Sequence, residues 1–136
     1  MDVPLALLAD SANVSAEGNL NILGIFDAVV ASEYPAAHPA ATLVIQLRPR
    51  RSEVGMPARV VIRLMDEDSV IAEIQGEFIV PALTPGGRVM GINQLFRIAP
   101  LGLPRAGNFA FHILVNEEEK AVVPFEALVR PADPAG

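Results

Sequence analysis

The sequence predicts an all-β fold, an antiparallel two-sheet β-sandwich of about eight strands, and three observations carry that reading. From Ala58 to Met65 the chain alternates, with Ala58, Val60, Ile62 and Leu64 on one face and Arg59, Val61, Arg63 and Met65 on the other. A period of two is the signature of a half-buried strand. Strand-sized apolar runs broken by Gly, Pro, Asn and Asp then recur from end to end, as in sandwiches and barrels. Finally, 136 residues with 51% hydrophobic content suffice for one core without disulfides or metal. That content excludes a disordered chain, a coiled coil and a collagen-like fibre.

The elements follow in order. Pro4 and the polar Asp10-Ser11, with Asn13 beyond, leave Leu5–Ala9 too short for a helix, so a strand is expected. It runs through Val14 into a tight turn at Ser15-Ala16-Glu17-Gly18. Leu20 to Val30 is apolar on both faces, as a strand covered on two sides or one at a subunit interface would be. Leu43, Ile45 and Leu47 alternate with Thr42, Val44, Gln46 and Arg48. The Ala58–Met65 strand turns at Asp66-Glu67-Asp68-Ser69 into a return strand with Val70, Ala72, Ile74, Phe78 and Val80 inward and Glu73, Gln75 and Glu77 outward.

A further strand lies between Val89 and Ile98, with Ile92, Phe96 and Ile98 inward. Phe109, Phe111, Ile113 and Val115 share a face before a turn at Glu117-Glu118-Glu119 leads into Val123, Phe125, Ala127 and Val129. Pro124 has no backbone donor, so its strand is expected to be an edge strand or to turn that N–H side to solvent. Residues 1–130 form one expected domain and 131–136 a short tail.

If successive strands are antiparallel, connections 15–19, 49–57, 81–88 and 117–119 share one end of the sandwich, and 34–41, 66–69 and 99–107 the other. Arg48, Arg50 and Arg51 then lie at the end that holds Glu117, Glu118 and Glu119 and offset them.

The segment Ala9-Asp10-Ser11-Ala12-Asn13-Val14, followed by Glu17-Gly18-Asn19-Leu20-Asn21-Ile22-Leu23-Gly24-Ile25-Phe26-Asp27, resembles the opening of a family of small uncharacterised bacterial proteins. Tyr34-Pro35, His38-Pro39 and Ala106-Gly107-Asn108-Phe109 continue the resemblance. Asn19 and Asn108 depart from it, standing where a basic and an acidic residue are expected. The resemblance implies a β-sandwich and transfers no catalytic role. Physically, Gly18 suits a positive φ in the turn, and Gly24 allows a close approach across the sheet. The competing reading is a ligand site built on Asp10, Asn13 and Asp27.

No motif specifies a reaction. The formal net charge of -6 works against nucleic acid and anionic membranes as partners, and no run approaches the length of a membrane helix. Met1-Asp2-Val3-Pro4 lacks the basic start of a signal peptide. The absence of cysteine removes disulfides, thiolate metal sites and Cys nucleophiles and suits a cytoplasmic location. His38 falls in a loop and His112 on an outward face, with nothing in sequence to pair them. No serine lies in a G-x-S-x-G context. Asp66-Glu67-Asp68 reads as a charged turn rather than a calcium loop, and Pro85-Gly86-Gly87 precedes a strand, not the helix of a phosphate-binding loop. With no Trp and a single Tyr, stacking platforms for glycans or single-stranded nucleic acid lack their rings.

The expectation is therefore a non-enzymatic binding or structural module that acts through contact with a protein partner or a second copy. No cofactor, metal or catalytic residue is assigned. Its surface is expected at Leu23, Ile25 and Val29, with Leu101 and Leu103 either tucked over the sandwich end or part of the contact. The alternative is a small hydrolase or metal-dependent enzyme that brings His38 or His112 to Asp27, Asp66 or Asp68.

Overall fold

A computed structural model describes residues 1–131; the rest of the expected tail lies outside the described residues. The fold is all-β. Among the described residues there are eleven strands: β1 (Asp2–Val14), β2 (Leu20–Ile25), β3 (Ala28–Ala31), β4 (Ala36–His38), β5 (Ala41–Arg48), β6 (Pro57–Met65), β7 (Val70–Ile79), β8 (Ile92–Ile98), β9 (Leu101–Leu103), β10 (Gly107–Val115) and β11 (Glu118–Val129). They form a four-stranded sheet A in the order β2-β1-β5-β8, a five-stranded sheet B in the order β3-β11-β10-β6-β7, and a two-stranded sheet C of β4 and β9.

Two sheets and about eight strands is thus too simple a description, and the reasons are local. Leu20–Val30 is not one strand. The chain leaves sheet A after Ile25 and enters sheet B at Ala28, where β3 runs parallel to β11. The two halves of the apolar run belong to two different sheets. The loops at 34–41 and 99–107 pair with each other as β4 and β9, in register from Ala36↔Leu103 to His38↔Leu101. Three residues are too few to display a period.

Leu8, Leu43, Ile45 and Leu47 of sheet A and Val60, Ile62, Phe111, Ile113 and Phe125 of sheet B share one core. Phe125 stacks on Phe109 and on Phe111 at 5.6 Å between ring centres, a contact that adds to simple area burial. In β6 the alternation is realised: Ala58, Val60, Ile62 and Leu64 are buried, while Arg59 bonds to Gln75 and Arg63 to Glu73 on the outer face. The return strand departs from expectation. Val80 is buried, but Val70 and Ile74 are exposed, because β7 is the edge of the wider sheet.

Pro124 shows how backbone chemistry selects a position. β11 is interior where β3 pairs with Glu126–Val129, but β3 does not reach Pro124. Glu126, two residues on, donates its N–H to Asp27 O at 2.9 Å. Pro124 therefore sits where the missing donor has no partner to disappoint. The turn before β11 is Asn116-Glu117, with φ of 50° and 71°, the two positive values of a type I′ hairpin. Glu118 and Glu119 already belong to the strand.

The predicted clustering of loops holds for 49–57, 81–88 and 117–119 at one end and for 34–41, 66–69 and 99–107 at the other. It does not hold for 15–19: β5 runs antiparallel to β1, so the turn after Val14 lies toward the end where β5 begins. Arg51 donates to Gly87 O, and Asn116 pairs with the backbone of Arg59 just beyond the 49–57 connection. At the other end Arg105 meets Asp66 at 2.7 Å and Asn108 reaches Glu67. The expected offset between arginines and glutamates takes another form, since Glu119 bonds to His112 and Glu118 to Lys120.

The Asp66 turn has a consequence for pH. Backbone N–H groups of Asp68 and Ser69, with Arg105 beside them, hold the Asp66 carboxyl below its ordinary 3.8. Arg63 and Gln75 hold Glu73 below its ordinary 4.5. Depressed folded-state values stabilise above the unfolded values and lose that contribution as pH falls through the folded ones. Urea midpoints are expected to be level between about pH 7 and 5 from these groups and to decline below about pH 4.5. Asp66→Ala should shrink that decline.

Candidate interaction surface

In an antiparallel sheet, register partners share a face. On sheet A, Leu8↔Leu43 faces the core, so the rows beside it face away. One such row is Leu7, Val44 and Leu95; another is Ile25, Ala9, Thr42 and Arg97; Leu5 and Leu23 lie on the same side. Val44 and Thr42 are buried even though they point away from the core. Leu5, Leu7 and Leu95 are half-buried. At the β2 edge of this face, Leu23 is 71% and Ile25 65% exposed. A shallow hollow beside Leu23 is lined by Ser11, Asn13, Asn21 and Ile22 among others.

The other members of the expected surface are not available. Val29 is buried in β3, on the far side of the sheet switch from Leu23 and Ile25, and Leu101 and Leu103 are buried in β9. Sheet C closes the end of the core and takes both leucines inward, so tucking is their role. Strand order adds what periodicity did not offer: Leu7 lies diagonal to Ile25 across the β1–β2 pair, and Leu7, Val44 and Leu95 form a row across β1, β5 and β8 on the same face. The buried Val44 was legible only as an apolar residue on the polar side of its strand.

The Asp10, Asn13 and Asp27 ligand site is not assembled. Asp10 and Asn13 are three residues apart on one strand and point to opposite faces. Asn13 accepts a hydrogen bond from the Asn21 side chain at 2.9 Å. Asp10 lies against Gly24, whose missing Cβ would stand 2.2 Å from an Asp10 carboxylate oxygen. Gly24 also has φ +73°, so its absence of a side chain serves both a left-handed backbone and a close approach. Asp27 lies apart, in a hollow with Asn108, Phe109, Pro124, Phe125 and Glu126.

The chemistry-bearing side chains are likewise dispersed. His38 packs against Phe26 at 5.5 Å between rings, and His112 is held by Glu119 on the outer face of sheet B. Asp66 spends its carboxylate on the Asp68 and Ser69 backbone and on Arg105. The hollow at Asp27 includes neither histidine, and among the described residues no group of three or more metal-ligating side chains converges. Among the described residues no helix is long and apolar enough to cross a membrane.

Residues 4–128 match a family of unknown function, DUF6941. The chain belongs to that family. The match covers all eleven strands apart from the first residues of β1 and the last of β11, so the family's extent is that of the folded body. No curated protein and no solved structure matches the chain.

Proposed function

We propose that the protein is a non-enzymatic binding module that associates with a second copy of itself through β2 and the outer face of sheet A. The observation that carries this reading is the side-by-side exposure of Leu23 and Ile25 on an edge strand, on the same sheet face as half-buried Leu5, Leu7 and Leu95. Exposed apolar patches that continue one another mark contact sites. An edge strand is also a template for further pairing unless charge, proline or a bulge blocks it.

Charge sets β2 apart from β7 and β8, and length sets it apart from β3, the four-residue edge of sheet B. β7 carries Glu73 and Glu77, and β8 carries Arg97, whereas Leu20–Ile25 carries no charge. Two β2 strands pairing antiparallel about a twofold axis place Leu23 and Ile25 of each copy near those of the other. The lack of cysteine supports a cytoplasmic setting for the module.

Sedimentation velocity from low to high micromolar tests this. The wild-type chain is expected to shift from monomer to dimer, and the Leu23→Asp/Ile25→Asp variant to remain monomeric. The variant's folding stability should change by only about 0.5 kcal/mol, as for other exposed sites. A wild-type monomer throughout, or a variant that dimerises as well as the wild type, would overturn the proposal.

A further inference from the structure

The opposite margin of the fold is built differently. β7 is one edge of sheet B and β8 one edge of sheet A, and between them an apolar cleft of about 50 Å³ is lined by Ile62, Leu64, Ala72, Ile74, Ile98, Leu101 and Phe111. Ala72, Ile74 and Gly76 are register partners of Leu64, Ile62 and Val60 and so belong to the core face of sheet B. All three are nevertheless exposed. A side chain at Gly76 would meet nothing within 4 Å. The wider sheet therefore presents a strip of its core face uncovered beside two unpaired backbone edges.

We propose that this margin receives an extended peptide segment of a protein partner, one that alternates small apolar with basic residues. The backbone requirement follows from the two edges, since an added strand bonds to a free ladder and places alternate side chains to one side. The cleft has room for only a small aliphatic group. The outer positions of β7 are Glu73 and Glu77, and β6 already faces them with Arg63 and Arg59 in register. An incoming strand on the free side meets Glu77 and, four residues away, Glu73, whose oxygens it shares with Arg63 and Gln75. Glu67 and Asp68 extend the acidic character at the turn.

A lipid chain fits less well. β8 carries Gln94 on the same inward face as Phe96 and Ile98, and its Oε1 is buried without a hydrogen-bond partner. Gln94 does not line the cleft itself, but a margin that carries polar backbone and an amide suits a peptide with N–H donors better than a hydrocarbon.

The test uses the full chain carrying Leu23→Asp/Ile25→Asp, so that failure here is distinct from failure of the β2 proposal. The probe is the synthetic peptide Val-Arg-Val-Thr-Val-Arg-Val, and the control replaces both arginines by glutamate. Calorimetric titration is expected to show binding of the basic peptide at least about tenfold tighter than the control, as two cross-strand charge pairs predict. Amide shifts should concentrate in residues 70–79 and 92–98, and Ala72→Glu should abolish them. No binding at millimolar peptide, equal affinity for both peptides, or shifts centred on another strand would overturn the assignment.

Discussion

Phe111→Ala is expected to lower folding stability by about 3–5 kcal/mol, the loss typical of a buried aromatic ring. The ring is 2% exposed, stacks on Phe125, and sits in β10 between Leu64 of β6 and Val123 of β11. It therefore joins three strands of sheet B and reaches the core shared with sheet A. It also lines the cleft beside β7, so truncation enlarges a hollow that already exists instead of letting neighbours collapse into the gap. Against a total of about 5–15 kcal/mol for a domain of this kind, the variant should unfold at much lower urea. Chemical denaturation checks this, and a loss below about 1 kcal/mol would mean the ring is not packed as described.

Gly24→Ala is expected to cost about 2–3 kcal/mol although it adds one methyl group to an edge strand. Part is the left-handed backbone at φ +73°, which disfavours any Cβ by about 1–2 kcal/mol. The rest is collision with Asp10, whose Oδ2, Cγ and Cβ would lie at 2.2, 2.7 and 3.0 Å. The two parts separate in a double-mutant cycle. Asp10→Ala should recover the part of the collision due to the carboxyl group in the Gly24→Ala background and leave the backbone component and the Cβ contact in place. A cycle with no coupling would show that Asp10 does not occupy that space.

The sequence expresses some of this plainly. From Ala58 to Met65 each residue has one face to choose, and burial follows the alternation except at Val61, which is buried on the outer face between neighbouring strands. Gly18 and Gly24 were legible as positions of backbone need, and Pro124 as a place where a donor is not missed. What was hidden depends on contacts remote in sequence. Nothing near Asp27 announces that the chain changes sheets there, since Leu20–Ile25 and Ala28–Ala31 are equally apolar. The parallel pairing of β3 with β11 and the short β4–β9 ladder join segments far apart in the chain.

The candidate surface divides along the same line. Leu23 and Val29 look equivalent in sequence, yet one is 71% and the other 3% exposed, because they lie on opposite sides of the sheet switch. Leu101 and Leu103 resemble loop residues until β4 is placed beside them. The uncovered core face of β7 follows from a five-stranded sheet meeting a four-stranded one, a mismatch that no local pattern records.

Amide hydrogen exchange across a concentration series examines β2 as the contact most directly. If two copies join there, the free-edge amides of Leu20–Ile25 should become more protected as concentration rises, while those of β7 keep their rates. Unchanged rates in β2 across a range in which the molecular mass doubles, or protection gained elsewhere instead, would contradict the account.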